Sequence, residues 1–360
     1  MPTERKTRHW QRWVLIGLVA LVALLVAATA AGSWYFSSLL LEPEHGEDYD
    51  LRVQAAPAGR VVLERTQDTV RPGTYGLDWK GGHGVLGRER SIRDDEVTRE
   101  LRLTHGRLAA DTKVAIDPDV YEGNPRQALG IPFRRVPVRG ELGVMPAWRV
   151  EGGPTWAIFV HGIDGTPEAG LRILPTLRRA GLTTLLITYR NDPGAPRSPD
   201  GLHHLGLTEW RDLQAAARYA RSQGARRLIV VGQSMGGAIV TQFMERSRLA
   251  RHVAGLVLDA PALSWKPILE LDATERGLPS FVAEPVEWVV GLRIEVNWNR
   301  LDALDHTDDL RLPILLFHGT EDTVVPIETS EALARKLPRY VTFHRIPRAG
   351  HVESWNVNPR

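Results

Sequence analysis

Three patterns of apolar and polar positions succeed one another along the chain. The first is a charge-free run from Trp13 to Leu41, within which Val14–Ala31 is almost wholly apolar. A helix needs about 20 apolar residues to cross the hydrocarbon core of a bilayer, so the run predicts a transmembrane helix over residues 14–36. Residues 37–52, acidic and containing a proline, read as a tether. The second pattern covers residues 53–130. Short runs such as "RVVLERT", "TYGLDWKGGHGVLG" and "VTRELRLT" are separated by Gly, Pro and Asp. Alternation bounded by turn formers predicts strands, hence a small β-rich region. "GGHG" at 81–84 lacks the strand-then-helix context of a phosphate loop and reads as a glycine hairpin.

The third pattern begins at residue 131. "FRRVPVRGELGVMPAWRVEG" predicts two antiparallel strands turning near Gly140. "TWAIFVHG", "LTTLLITYR", "RRLIVVG", "VAGLVLDAPA", "PILLFHG" and "YVTFHRIP" are short apolar runs of the kind buried on both faces of a parallel sheet. Helical patterns lie between them. Pro167–Ala180 should end at Gly181, and Trp210, Leu213, Ala217 and Ala220 have helical spacing behind Thr208 as N-cap, with Glu209 and Asp212 suited to a first turn. Alternating strands and helices predict an α/β fold with a mainly parallel sheet over 131–360. Residues 263–312 break the alternation and carry Trp265, Phe281 and Trp288. An insertion of that length reads as a lid.

Charge orients the first segment. Arg5, Lys6, Arg8 and Arg12 precede the apolar run, and Glu42, Glu44, Glu47 and Asp48 follow it. Basic residues stay on the cytoplasmic side, so residues 1–13 are expected inside and the remainder outside, in a single-pass membrane protein. Trp10 and Trp13 at one end, and Trp34, Tyr35 and Phe36 at the other, form two aromatic belts. The alternative is a cleaved signal peptide with Ala28-Thr29-Ala30 as its site. The apolar run exceeds the usual core of about 7–15 residues, which favours an uncleaved anchor.

A net charge of +2, with all but five of the 45 basic residues arginine and no clustered stripe, leaves no nucleic-acid footprint. The absence of cysteine removes disulfides, thiolate nucleophiles and Cys-ligated zinc. No His, Asp and Glu set has convincing ligand spacing, so neither a metal nor another cofactor is expected.

The chemistry concentrates at strand ends. Gly232-Gln233-Ser234-Met235-Gly236 fits a nucleophile elbow, where a strand turns sharply into a helix and exposes a serine. A serine needs a base, and the base needs a carboxylate that sets its tautomer. Asp322 follows "PILLFHG" and His351 follows the last strand, both on the sheet edge expected to hold Ser234. Asp259 also ends a strand and is a minor candidate for the acid, whereas Glu321 should point elsewhere. Other histidines lack the strand-end position, and His161 and His318 read as loop braces. The amides of Ile163, in "HGIDG", and of Met235 are the expected oxyanion donors.

Together "VHGIDG", "GQSMGG", "HGTEDTVVP" and "AGH" resemble the α/β-hydrolase superfamily, most nearly its monoacylglycerol-lipase-like and serine-aminopeptidase-like serine hydrolases. The resemblance covers 131–360 and implies Ser234 as nucleophile, His351 as base, Asp322 as acid, and Ile163 and Met235 as oxyanion donors. The motifs are poorly specific for substrate, but the apolar insertion and the lack of an amine-binding acidic cluster favour ester hydrolysis of a small-molecule or lipid-like acyl substrate. An exported peptidase or acyltransferase with the same triad, or a non-catalytic binding module, would share these motifs. Only nine residues follow His351, where the family usually has a final helix. The last strand should then be covered by the N-terminal region or a partner, or be exposed.

Overall fold

Helix α1 (Thr3–Leu41) is one continuous helix, without proline, in a computed structural model that describes residues 3–44, 46 and 49–359. Its Arg12–Leu41 portion is the single helix among the described residues long and apolar enough to cross a membrane, with a mean hydropathy of 2.8. Leu15 to Val26 project outward with no protein cover. The last turns behave differently. Ser33, Ser37 and Leu41 recur every fourth residue, so they share one face, and all three are buried. Leu41 is fully enclosed in the main hydrophobic core, and its carbonyl accepts the His203 amide at 2.8 Å. The expected tether is therefore shorter: residues 37–41 continue the helix, and Leu51 and Arg52 already belong to the first strand.

Six antiparallel strands follow: β1 (Leu51–Ala55), β2 (Arg60–Glu64), β3 (Tyr75–Trp79), β4 (Gly82–Ile92), β5 (Glu96–His105) and β6 (Lys113–Asp117). They close into a barrel in the order β1-β2-β5-β4-β3-β6. Alternate side chains, among them Val53, Val61, Leu63, Leu77, Leu86 and Val114, fill its interior. Closure leaves no unpaired edge, which a small sheet of short strands needs. Lys80 and Gly81 form the turn that joins β3 to β4.

Helix α2 (Pro125–Leu129) leads into an eight-stranded mixed sheet. Its strands are β7 (Arg134–Arg139), β8 (Val144–Val150), β9 (Gly153–Val160), β10 (Leu182–Ile187), β11 (Arg227–Gln233), β12 (Val253–Asp259), β13 (Ile314–Gly319) and β14 (Val341–Ile346). The order is β14-β13-β12-β11-β9-β10-β8-β7, with β8 antiparallel to both of its neighbours, β7 and β10, and every other adjacent pair parallel. Trp156–Val160 of β9 is buried on both faces, because helices pack on each side. The helices are α3 (Leu174–Arg179), α4 (Trp210–Ser222), α5 (Met235–Arg246), α6 (Trp265–Glu275), α7 (Ala283–Arg293), α8 (Trp298–Leu301), α9 (Ile327–Lys336) and α10 (Ser354–Val357).

Two expectations change in detail. The helix predicted over Pro167–Ala180 divides into a 3-10 turn (Pro167–Leu171) and α3. Thr208 does not cap α4, which begins at Trp210 with no side-chain cap bond, whereas Asp212 lies in the first turn as expected and its buried carboxylate also takes a bidentate grip from Arg190, at 2.7 and 3.0 Å. Glu209, fully buried, instead accepts the amides of His204, Gly206 and Thr208 and shapes the turn before α4.

The insertion between β12 and β13 folds as α6, α7 and α8 with short 3-10 turns. Helix α1 docks on α7. The Arg293 guanidinium donates to Ser37 Oγ at 2.8 Å, Ser38 Oγ at 2.9 Å and Glu42 at 2.9 Å, and stacks 4.4 Å from the Trp34 ring. Phe36, Leu39 and Leu40 of α1, with Ile268, Ala283 and Val286 of the insertion, enclose part of an apolar cavity of about 160 Å³. Val324 also lines it, two residues beyond Asp322.

Candidate active site

The turn from β11 into α5 forces Ser234 to φ 51°, ψ −121°, a conformation rarely open to a residue with a side chain. Flanking glycines make the turn possible. A Cβ on Gly232 would lie 2.8 Å from the Gly236 carbonyl oxygen, and one on Gly236 would fall on the Val160 carbonyl oxygen. The end of β12 holds the strained residue in place. Ser234 N donates to the Asp259 carbonyl at 3.1 Å, and the Ser234 carbonyl accepts Gly237 N at 2.8 Å and Ala262 N at 2.9 Å. The Ser234 residue is 9% exposed.

His351 reaches this hydroxyl from the loop after β14. Its Nε2 lies 2.9 Å from Ser234 Oγ, and its Nδ1 lies 2.8 Å from Asp322 Oδ2. A carboxylate only accepts, so Nδ1 carries the proton and Nε2 is left as the acceptor for the serine hydroxyl. Asp322, on the loop after β13, is itself locked. Its Oδ1 accepts Val324 N at 2.8 Å and Val325 N at 2.9 Å. His318 Nε2 faces both the Asp322 carboxylate at 3.2 Å and the Val325 carbonyl at 2.9 Å, so it must be protonated there. Burial pushes the Asp322 carboxyl up. Hydrogen bonds from His318 and His351, with the Val325 amide, outweigh it and hold the group well below the usual carboxylate range.

The other candidate acids sit elsewhere. Asp259 is buried against Ser354, whose hydroxyl donates to it at 2.7 Å, and burial raises its carboxyl. Glu321 is exposed.

The expected oxyanion donors border the same serine. Met235 N opens α5, where amides have no intrahelical partner. Gly162 approaches Ser234 so closely that a Cβ on it would lie 3.1 Å from Ser234 Cβ. Its carbonyl is held by His161 Nδ1 at 2.9 Å and by the Tyr189 hydroxyl. A trans peptide points its N–H opposite its carbonyl, so the Ile163 N–H faces away from His161 and Tyr189. His161 is fixed in turn: its Nε2 lies 2.9 Å from Asp192, and its ring stacks 4.4 Å from Tyr189. Burial lowers its tendency to hold a proton, but Asp192 and the Gly162 carbonyl more than compensate and raise it overall. Tyr189 and Asp192 escape motif reading. The one signal for them is a polar cluster, "TYRND", at the end of an otherwise apolar strand.

Residues 157–360 match the family described as "Alpha/beta hydrolase family", and residues 51–117, the barrel, match a domain of unknown function, DUF8805. The uncharacterized protein YfhR of Salmonella typhimurium is 24% identical over 267 residues, which is 69% of this chain and 83% of that protein. The Pyrococcus furiosus esterase Pf2001 superposes with a TM-score of 0.53 at 19% identity, covering 67% of this chain and 90% of its own. At that identity the likeness is one of fold.

Proposed function

Because this chain belongs to the α/β hydrolase family over 157–360, we propose that it is a membrane-anchored, extracytoplasmic serine hydrolase that cleaves carboxylic esters. The observation that carries the reading is the unbroken line Ser234 Oγ–His351 Nε2, His351 Nδ1–Asp322, with links of 2.9 and 2.8 Å. Ser234 Oγ attacks the acyl carbonyl while His351 Nε2 takes its proton. The carbonyl oxygen becomes an oxyanion, received by the Ile163 and Met235 amides. As the tetrahedral adduct collapses, His351 returns the proton to the departing alcohol and leaves an acyl-serine. Water then enters. His351 removes its proton, the hydroxyl oxygen bonds to the acyl carbon, and the proton goes back to Ser234 as the acid leaves. Asp322 stays ionised throughout and stabilises each transient imidazolium.

Location supports a lipid-like acyl group. Helix α1 runs without interruption from its outward apolar stretch to Leu41 in the hydrolase core, and the sign of the flanking charges favours export. Phe281, Trp288 and Leu292 of the insertion are exposed, between 62 and 69%. Large apolar side chains left outward beside a membrane helix suit an interface with lipid.

The test is labelling with a fluorophosphonate, which bonds covalently to an activated serine. Wild type should be labelled and S234A should not, and a short aryl ester should be hydrolysed faster than an aminoacyl amide. Labelling of S234A, or none of wild type, sinks the reading.

A further inference from the structure

His351 sits on a strained segment held from two sides, by its own domain and by the barrel. It lies between Arg348 at φ 62° and Val352 at φ 49°, and a left-handed β-branched residue persists only when its surroundings impose it. The loop runs on into α10 (Ser354–Val357), and residues of this stretch meet the barrel.

The contacts are polar, buried and on both sides of the histidine. Glu353, 4% exposed, accepts Gly350 N at 2.8 Å, immediately before His351. The same carboxylate takes Arg71 Nη1 at 2.8 Å and the Tyr75 hydroxyl at 3.1 Å, both from the barrel. Burial, then the neighbouring Glu353, raises the Tyr75 phenol, so it remains a neutral donor. On the other side, Arg172 donates to the Val352 carbonyl at 3.0 Å, to Asn356 at 2.7 Å and to Asp119 at 3.1 Å. Asn356, fully buried, donates to the carbonyls of Thr74 and Pro118 at 2.8 Å each, and its own carbonyl accepts Thr74 N at 3.0 Å.

The barrel is braced for this. The Arg71 loop between β2 and β3 is held from inside by Arg99 of β5, whose side chain has no exposure. Its guanidinium donates to the carbonyls of Thr69 at 3.3 Å, Arg71 at 2.8 Å and Gly73 at 2.7 Å. A rigid path therefore runs from the barrel core through Arg71 and Glu353 to the amide next to His351.

We infer that the barrel is an intramolecular clamp that holds His351 in register with Ser234, with Arg71, Tyr75 and Glu353 as positioning residues. The inference rests on the reading of His351 as the general base. Misplacing a catalytic group by about 1 Å can cost on the order of 100-fold in rate.

The test uses the full chain in lipid nanodiscs, with R71A, R71K and Y75F. R71A should lower the fluorophosphonate labelling rate of Ser234, and kcat on a short aryl ester, by about 10- to 100-fold, with KM within about twofold. R71K, which keeps a cation, should recover part of the loss. That split and that rescue separate positioning from loss of folding. Wild-type labelling rates in a well-folded R71A overturn the clamp and leave the serine mechanism standing. A wild type that does not label overturns the serine mechanism, and the clamp with it. If R71A no longer melts cooperatively, Y75F decides, because it deletes a single hydroxyl. A several-fold loss of labelling at an unchanged melting temperature supports the clamp, and an unchanged rate overturns it.

Discussion

Replacing Asp322 with asparagine tests the assigned tautomer directly. In the native site Oδ1 accepts two backbone amides, from Val324 and Val325, while Oδ2 faces His351 Nδ1 and His318 Nε2. An asparagine keeps its carbonyl oxygen on the two amides, because turning it over would set its NH2 against both of them, whereas in place the NH2 opposes only the His318 N–H. Its NH2 group then meets His351 Nδ1. The imidazole can accept that bond only by moving its own proton to Nε2, where it faces Ser234 Oγ at 2.9 Å and can no longer take the serine proton. A base held in the wrong tautomer costs about 10⁴-fold in kcat, about 5.5 kcal/mol at 1.36 kcal/mol per tenfold. We predict that loss for D322N, with KM nearly unchanged because no substrate contact is removed. Stopped-flow release of an aryl alcohol, with titration of labelled Ser234, measures it. A D322N enzyme within about tenfold of wild type would refute the assigned tautomer and the role of Asp322.

Two further outcomes follow from local geometry. G236A puts a methyl group on the backbone carbonyl oxygens of Val160, the last residue of β9, and of His161 just after it, and backbone there has no room to yield. Overpacking of about 1–3 kcal/mol should lower the melting temperature by several degrees and suppress Ser234 labelling, and a variant normal in both counts against the elbow packing. Glu168 accepts Gly123 N at 3.0 Å and is pushed up to about 7 from an ordinary 4.5, first by burial and then by Asp119, Glu122 and Asp78. A raised carboxyl stabilises the fold fully below its unfolded value and loses that contribution as pH rises through its folded value, here between about 4.5 and about 7. E168Q keeps the acceptor without the charge. It should melt with wild type near pH 4 and above it near pH 8, and parallel melting curves at both would contradict the raised value.

Much of this protein is written in local pattern. Apolar runs such as "AIFVHG" and "LIVVG" mark strands buried on both faces, since only a sheet covered by helices needs them. The glycines around Ser234 declare a close turn, and the order Ser234, Asp322, His351 at strand ends declares which side chains can meet. The run before Leu41 is legible from length and composition as a helix long and apolar enough to cross a membrane. What tertiary structure decides is non-local. Six short alternating runs do not say that they close into a barrel, because closure depends on pairing β1 with both β2 and β6. The end of that apolar run does not announce that Leu41 enters the hydrolase core instead of a tether. Arg71 and Glu353 stand 282 residues apart, each an ordinary charged residue in its own segment. Periodicity records which face of one element is buried. The partner of a buried charge is set by how whole elements pack, and only the folded chain brings those two together.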